Sequence, residues 1–354
     1  MSIDMLLAWM RLRRGVLIGL LAGILFPFVI SLVVDGAGPS AVLTNADGNA
    51  RFLQGLAIEI FILALYALSY DLLLGVSGLL SFGQAMFFGV GAYGFGIAIR
   101  SFEMGLGGAL LTVVILAILQ AVLFAVVVPR VKGITYALVT LGFASVFWIV
   151  IRSSDLQSYA GAEIGLQGVV APVAWLDTTS NRFVFYLVTL AVLVAGYLLV
   201  VKLVDSPLGR VLVASRENED RALMLGYDTF WFKFVALVVA SLLASFAGVL
   251  HTLHQPIVTP NVASLGYTVA ALLIILIGGM GTVSGAVIGA GVYRLLQFFL
   301  DRWVGSVSEL LIGTAYVLLV LFLPYGIVGT WRIKRLDGSW KESPIGRLLA
   351  RLGS

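Results

Sequence analysis

Apolar stretches long enough to cross a bilayer recur along nearly the whole chain, and they constrain its fold more than any other feature. Of its 354 residues, 60% are hydrophobic and 11% charged. An ordinary soluble domain is roughly 25% charged. With a mean hydropathy of +1.07, most side chains need lipid or buried protein around them. Every backbone polar group inside a bilayer must be satisfied internally, so runs of this length form helices. The expected fold is an all-α integral membrane protein with about ten transmembrane helices. The candidate spans are 15–34, 52–70, 79–99, 106–128, 133–151, 183–204, 230–251, 267–279, 283–300 and 308–328. The chain then divides into an N-terminal segment 1–14, a transmembrane domain 15–328 and a basic tail 329–354.

Charge distribution orients these spans. With the N-terminus inside, the inside segments 1–14, 129–132, 202–233 and 329–354 hold 16 Lys and Arg, and the outside segments hold 5. The positive-inside rule therefore puts both termini in the cytoplasm. Arg11, Arg13 and Arg14 precede the first apolar run as in a signal peptide, but that run is too long for a signal core and no small-x-small site follows it. An uncleaved first span, kinked at Pro27, is expected. The tail, with Arg332, Lys334, Arg335, Lys341, Arg347 and Arg351, suits either an amphipathic helix on anionic lipid or a frayed basic end.

A charged island at 205–229 interrupts the apolar sequence on the cytoplasmic side. Ser206 followed by Pro207 suits a helix N-cap with proline at the first helical position. Asn218 can cap a second, short helix whose first turn holds Glu219 and Asp220, where the helix dipole favours acids. Gly226 can end it. Ala222, Leu223 and Leu225 are expected to supply its apolar contacts. Connections between helices are typically about two to eight residues long. A longer segment with two capping signals is expected to be structured and to face another protein.

Several chemistries are absent from the sequence. There is no cysteine, hence no disulfide or thiolate metal site. None of the five lysines follows a glycine, so there is no P-loop, and if ATP drives this protein another chain binds it. Gly89-Val-Gly-Ala-Tyr-Gly94 lies inside an apolar span and suits close helix packing, not a dinucleotide. His251 and His254 have no cysteine or acidic cluster beside them, so no metal site is expected and an interfacial or pore-lining place suits them better. No catalytic residue and no nucleic-acid partner is expected. Glu59 and Arg294 are ionisable groups deep inside spans; such groups seek partners, so they are expected either to approach each other or to snorkel separately. Ser77, Ser81, Gln84 and Thr140 are polar groups in glycine-rich apolar segments, and they are candidate contacts along a substrate path. Hydroxyl bonding to helix carbonyls is the alternative for each Ser and Thr.

The island's Glu219-x-x-Ala222-x-x-x-Gly226, together with Ser206-Pro-Leu-Gly-Arg210 and Arg216-Glu217-x-Glu219, resembles the cytoplasmic coupling loop of ABC importer permeases, specifically the LivM-type branch of the branched-chain amino acid permease family. Further stretches resemble the same family. They are Leu72-Leu-Leu-Gly75-x-Ser-Gly78-Leu-Leu-Ser81-x-Gly83-Gln84, Tyr136-Ala-x-x-Thr140-Leu-x-Phe143-Ala144, Gly161-x-Glu163-x-Gly165-Leu166-x-Gly168 and Gly278-Gly279-x-Gly281-Thr282. The resemblance covers roughly residues 50–330. It implies a permease bundle with a cytoplasmic coupling helix in the bacterial plasma membrane. Arg216, Glu217, Glu219, Ala222 and Gly226 would then engage the ATPase. It also implies a second homologous permease subunit, two cytoplasmic ATPase subunits carrying ATP and Mg, and an extracytoplasmic substrate-binding protein. Asp71 stands where the family usually has Asn, and Gln84 where His is common. Urea or short-chain amide import is therefore an alternative within the class, and an ion-coupled secondary transporter the alternative outside it.

Overall fold

In a computed structural model, which describes residues 14–34, 42, 48–179, 181–305, 311, 313, 314, 317 and 325–336, the apolar runs are helical. In chain order the helices are α1 (Arg14–Val34), α2 (Asn49–Tyr70), α3 (Gln84–Arg100), α4 (Leu106–Ala125), α5 (Ile134–Arg152), a single turn α6 (Gln157–Ala160), α7 (Arg182–Asp205), α8 (Pro207–Glu217), α9 (Glu219–Met224), α10 (Thr229–His254), α11 (Leu265–Gly278), α12 (Ser284–Val304) and α13 (Gly326–Leu336). Five described stretches are long and apolar enough to cross a membrane: Ala50–Val76, Leu106–Ala125, Ile134–Arg152, Arg182–Asp205 and Thr229–His254. The candidate span at 308–328 lies largely outside the described residues, as do 1–13 and 337–354.

Two boundaries depart from expectation. The second span does not end at residue 70 but continues as a π-helical turn, Asp71–Val76. The third does not begin at 79, because 77–83 is a non-helical break before α3. Such a break is tolerable at membrane depth only where protein surrounds it and satisfies its backbone. Here Phe82 N–H donates to Thr140 Oγ1 (3.1 Å) and Ala85 N–H to Thr268 Oγ1 (2.9 Å), while the Thr268 hydroxyl donates to the Phe82 carbonyl (3.2 Å).

α10 is the central helix and packs against α3, α2 and α4. Its contact with α3 has no room for side chains at two positions. A Cβ at Gly91 would overlap the Ser245 backbone, and one at Gly248 would overlap the Phe88 carbonyl oxygen. Gly91 of the Gly89–Gly94 motif is thus a packing glycine. Polar side chains tie α10 to both α4 and α3. Gln120 of α4 donates to Ser241 (2.9 Å) and Ser245 (3.0 Å), and Ser245 donates to the Phe87 carbonyl (3.0 Å). Pro27 in α1 lacks the N–H that would bond the Gly23 carbonyl four residues back. The Tyr186 hydroxyl of α7 donates to that carbonyl instead, at 2.6 Å.

A short antiparallel pair, β1 (Leu166–Gln167) with β2 (Ile257–Val258), joins the 152–182 segment to the chain after α10. Outward faces of α1, α4 and α5 expose Leu25, Leu32, Leu111, Leu119, Leu138 and Ile149. Apolar surface of that extent needs lipid or another subunit to cover it.

Candidate functional site

The island folds as a helical hairpin whose turns follow from local capping. Ser206 caps α8, accepting from Gly209 N–H at 3.4 Å, with Pro207 in the first turn. Asn218 caps α9, accepting from Arg221 N–H at 2.9 Å. α9 ends in a Schellman arrangement: Gly226 N–H donates to the Leu223 carbonyl (2.9 Å) and Tyr227 N–H to the Ala222 carbonyl (3.3 Å). Gly226 has φ +88°, which an L side chain adopts only with strain. Asp228 then caps α10 through Phe230 N–H at 3.2 Å.

The side chains of the island divide into two sets. Glu219 faces the bundle, where its carboxylate is ion-paired with Lys233 on the first turns of α10 and accepts from the Thr229 hydroxyl (3.0 Å). Lys132, in the turn before α5, lies 3.6 Å from Glu219 and 3.3 Å from Asp220. Burial by itself would raise the Glu219 pKa. The hydrogen bond and charge of Lys233 outweigh it, and the net shift is downward. The Asp220 hydrogen bond, with Glu219 nearby, raises that of Lys132. Ala222 is buried, and the Arg216 guanidinium donates to the Gly75 carbonyl at the end of the π turn. The opposite face carries Met224 (87% exposed) and Leu225 (72%), flanked by exposed Leu223, Tyr227 and Trp231.

This corrects the expectation for two residues. Leu223 and Leu225 do not pack inward; Ala222 alone does so. Arg216, Glu219 and Ala222 hold the hairpin to the bundle, whereas Glu217 and Gly226 are exposed. Met224 had no signal in the sequence, because helical phase in a helix this short is fixed only by its caps. Lys132 and Lys233 entered the sequence argument only as inside charges, although basic residues flanking an acidic cap are its natural partners.

Beneath the hairpin lies a second tie. Asp71, fully buried, accepts from Gly281 N–H (2.6 Å) and Val283 N–H (3.0 Å), so the π turn of α2 holds the turn between α11 and α12. Gly75 must lack a side chain because a Cβ would overlap both the Asp71 carboxylate and the Gly281 backbone. Val283 has φ +55°, a costly conformation for a β-branched residue. The departure from Asn at position 71 thus supplies two acceptor oxygens to a strained turn.

Ser77, Ser81, Gln84 and Thr140 all border the 77–83 break and are at most 2% exposed. Ser77 donates to the Leu73 carbonyl (2.6 Å), Ser81 accepts from Gly83 N–H (3.2 Å) and Gln84 donates to the Ser69 hydroxyl (2.7 Å). Thr140 bonds Phe82 N–H and the Ala137 carbonyl. In this conformation Ser81 and Thr140 satisfy N–H groups of the break, Gln84 ties the start of α3 to α2, and Ser77 bonds back to a carbonyl of its own helix. Ser69 and Thr268 belong to the same set and were not singled out from the sequence.

Glu59 and Arg294 meet. Arg294 Nε donates to the Glu59 carboxylate at 2.6 Å, and Gln255 donates to its other oxygen at 3.1 Å. The His254 side chain, 3.9 Å from Glu59, stacks on Phe185, and His251 lies edge-on to Phe88. Both imidazoles pack among aromatic rings inside the bundle, not at an exposed interface. No group of three or more His, Cys, Asp or Glu that could hold a metal occurs among the described residues.

Comparison with known proteins assigns the chain. The family described as "Branched-chain amino acid transport system / permease component" matches residues 52–324. The high-affinity branched-chain amino acid transport system permease protein LivM of Escherichia coli (strain K12) is 28% identical over 82% of this chain and 74% of its own length. The probable branched-chain amino acid transport permease protein LivM of Methanocaldococcus jannaschii is 25% identical over 64% of this chain and 69% of its own. The LivH permease protein of Salmonella typhimurium is 22% identical over 77% and 93% respectively. No solved structure matches significantly. The helical bundle and a family match over most of its length place this chain in the branched-chain amino acid transport system permease family.

Proposed function

We propose that this chain is the LivM-type permease subunit of an ABC importer for branched-chain amino acids. It forms the translocation path with a second homologous permease subunit. Two cytoplasmic ATPase subunits hold ATP and Mg, and this chain binds no cofactor and no nucleic acid. An extracytoplasmic binding protein delivers the substrate. The chain crosses the bacterial inner membrane about ten times with both termini cytoplasmic, so that residues 205–229 face the ATPases.

The observation that carries this reading is the two-sided hairpin. Its inner side is fixed by Glu219–Lys233 and Arg216–Gly75, and its outer side presents Met224 and Leu225. A push on the outer side reaches α10 through Lys233. It reaches α2 and the α11–α12 turn through Gly75 and Asp71. A ligand or partner biases a gate only if its contacts differ between the gate's two states, and the hairpin is where those contacts change. Separation at the 77–83 break would turn Ser77, Ser81, Gln84 and Thr140 from sealing bonds into groups beside the path.

The test is uptake by vesicles holding this chain with its permease, ATPase and binding-protein partners. Leucine uptake that requires ATP and is competed by isoleucine and valine supports the proposal. Competition by urea or acetamide instead would move the substrate to the amide class. Uptake that needs an ion gradient and no ATP would overturn the ABC assignment.

A further inference from the structure

Between the hairpin and the bundle lies a cavity of about 210 Å³, walled in part by the Arg216, Glu219 and Lys233 side of the hairpin contact. It is bounded by the break (Ser77–Leu80), the turn before α5 (Val128, Val131–Gly133), Tyr136, and the α8–α9 junction from Ser215 to Glu219. Two of its polar groups have no work to do. The Tyr136 hydroxyl and the Ser215 hydroxyl are buried, 1% and 5% exposed by residue, and neither has a hydrogen-bond partner. Buried hydroxyls without partners are costly, and a cluster of them calls for a ligand or ordered water. The walls carry charge of both signs. Lys132, Lys233 and Arg216 are cationic, and Glu217 adds a carboxylate outside the Glu219–Lys233–Lys132 set. Leu79, Leu80, Val128 and Val131 form an apolar side.

We infer that this cavity is a regulatory site for a small zwitterion with an apolar side chain, a free amino acid on the hairpin's side of the membrane. The Tyr136 and Ser215 hydroxyls and Lys132 receive its carboxylate. Glu217 receives its ammonium group, and the apolar side takes its side chain. A simple anion would leave Glu217 and the apolar wall unmatched. The ligand touches the hairpin, the 77–83 break and the start of α5 together, so it favours the conformation in which they are closed on one another. Coupling keeps the hairpin fixed to the bundle but requires the 77–83 break to separate from α5, and accumulated amino acid, by bridging the two, therefore slows further import. The inference rests on reading the chain as an amino acid permease, and its test separates the two.

The primary measurement is binding of radiolabelled L-leucine to the purified full-length chain, with Tyr136→Phe/Ser215→Ala as the variant. Both substitutions remove only a hydroxyl and keep the packing. The expected result is weak, saturable binding that falls at least tenfold in the double variant. Val131→Phe, which fills the cavity from the opposite wall, should give the same loss. Inorganic phosphate should not compete. In vesicles of the full transporter, L-leucine on the hairpin side should lower uptake from the other side in wild type but not in the double variant. No saturable binding, or binding unchanged in both variants, overturns the site. Phosphate binding with the same hydroxyl dependence, in place of leucine, overturns the ligand class. Hydroxyl-dependent leucine binding without leucine transport keeps the site and removes the import reading. Transport without such binding does the reverse.

Discussion

Glu219→Gln should loosen α9 from the bundle without unfolding the protein. In the native structure the Glu219 carboxylate neutralises Lys233, which is only 7% exposed. The substitution keeps a hydrogen-bonding oxygen for Thr229 but strands the Lys233 ammonium. Removing one partner of a fully buried pair costs about 3–5 kcal/mol. The Glu219 side chain retains 22% exposure, so water screens part of the interaction and about 2 kcal/mol is the working figure. The loss falls on a helix of 6 residues, far too short to persist alone. It should therefore appear as local opening, with the open population rising about 30-fold at about 1.4 kcal/mol per tenfold. Hydrogen exchange at the amides of residues 222–227 in the detergent-solubilised chain reads this directly. Lys233→Met in the same chain removes the stranded charge, and the double variant should regain at least half of the lost protection. Exchange within threefold of wild type in Glu219→Gln would refute the reasoning. So would a double variant whose loss equals the sum of the two single losses.

Three further outcomes follow from the same geometry. The native Glu219 pKa lies below its ordinary value of about 4.5, so its contribution is present above that value and is lost as pH falls through the lower native one. Amide protection of α9 should hold through neutral pH and decline only on the acid side of the usual Glu range. Asp71→Ala leaves two buried N–H donors unpaired at the strained 281–283 turn and should cost about 2–5 kcal/mol by thermal unfolding, with Asp71→Asn intermediate because one acceptor survives. Glu59→Gln and Arg294→Gln should each destabilise the bundle, and the double variant should cost about 1–3 kcal/mol less than their sum.

What the sequence revealed and what it hid divide along physical lines. Ser206, Pro207, Asn218 and Gly226 were legible because capping and left-handed termination are local backbone chemistry. The Glu59–Arg294 approach was legible as one of two outcomes, since a charge inside a span must find a partner or water. The direction of Glu219 was not legible. Its partner Lys233 lies 14 residues on, in a helix that reads as membrane-spanning. Nor does a sequence say on which side of a polar residue the water lies. Ser77, Ser81, Gln84 and Thr140 read as contacts along a path, yet here Ser81 and Thr140 bond the backbone of a break that hydropathy alone runs into the third span, Gln84 bonds the Ser69 side chain and Ser77 bonds back to the Leu73 carbonyl. Asp71 shows the same limit, because its two partners are backbone amides some 210 residues away.

The central claim is that the hairpin at 205–229 transmits ATPase motion to the bundle. Its most direct test is the number of leucine molecules imported per ATP hydrolysed by the reconstituted transporter carrying Glu219→Lys or Gly226→Trp. Charge reversal places two ammonium groups against each other, and tryptophan at φ +88° breaks the turn that ends α9. The expected result is normal membrane insertion and continued ATP hydrolysis with leucine import reduced at least tenfold. A wild-type ratio of import to hydrolysis in both variants would contradict the account.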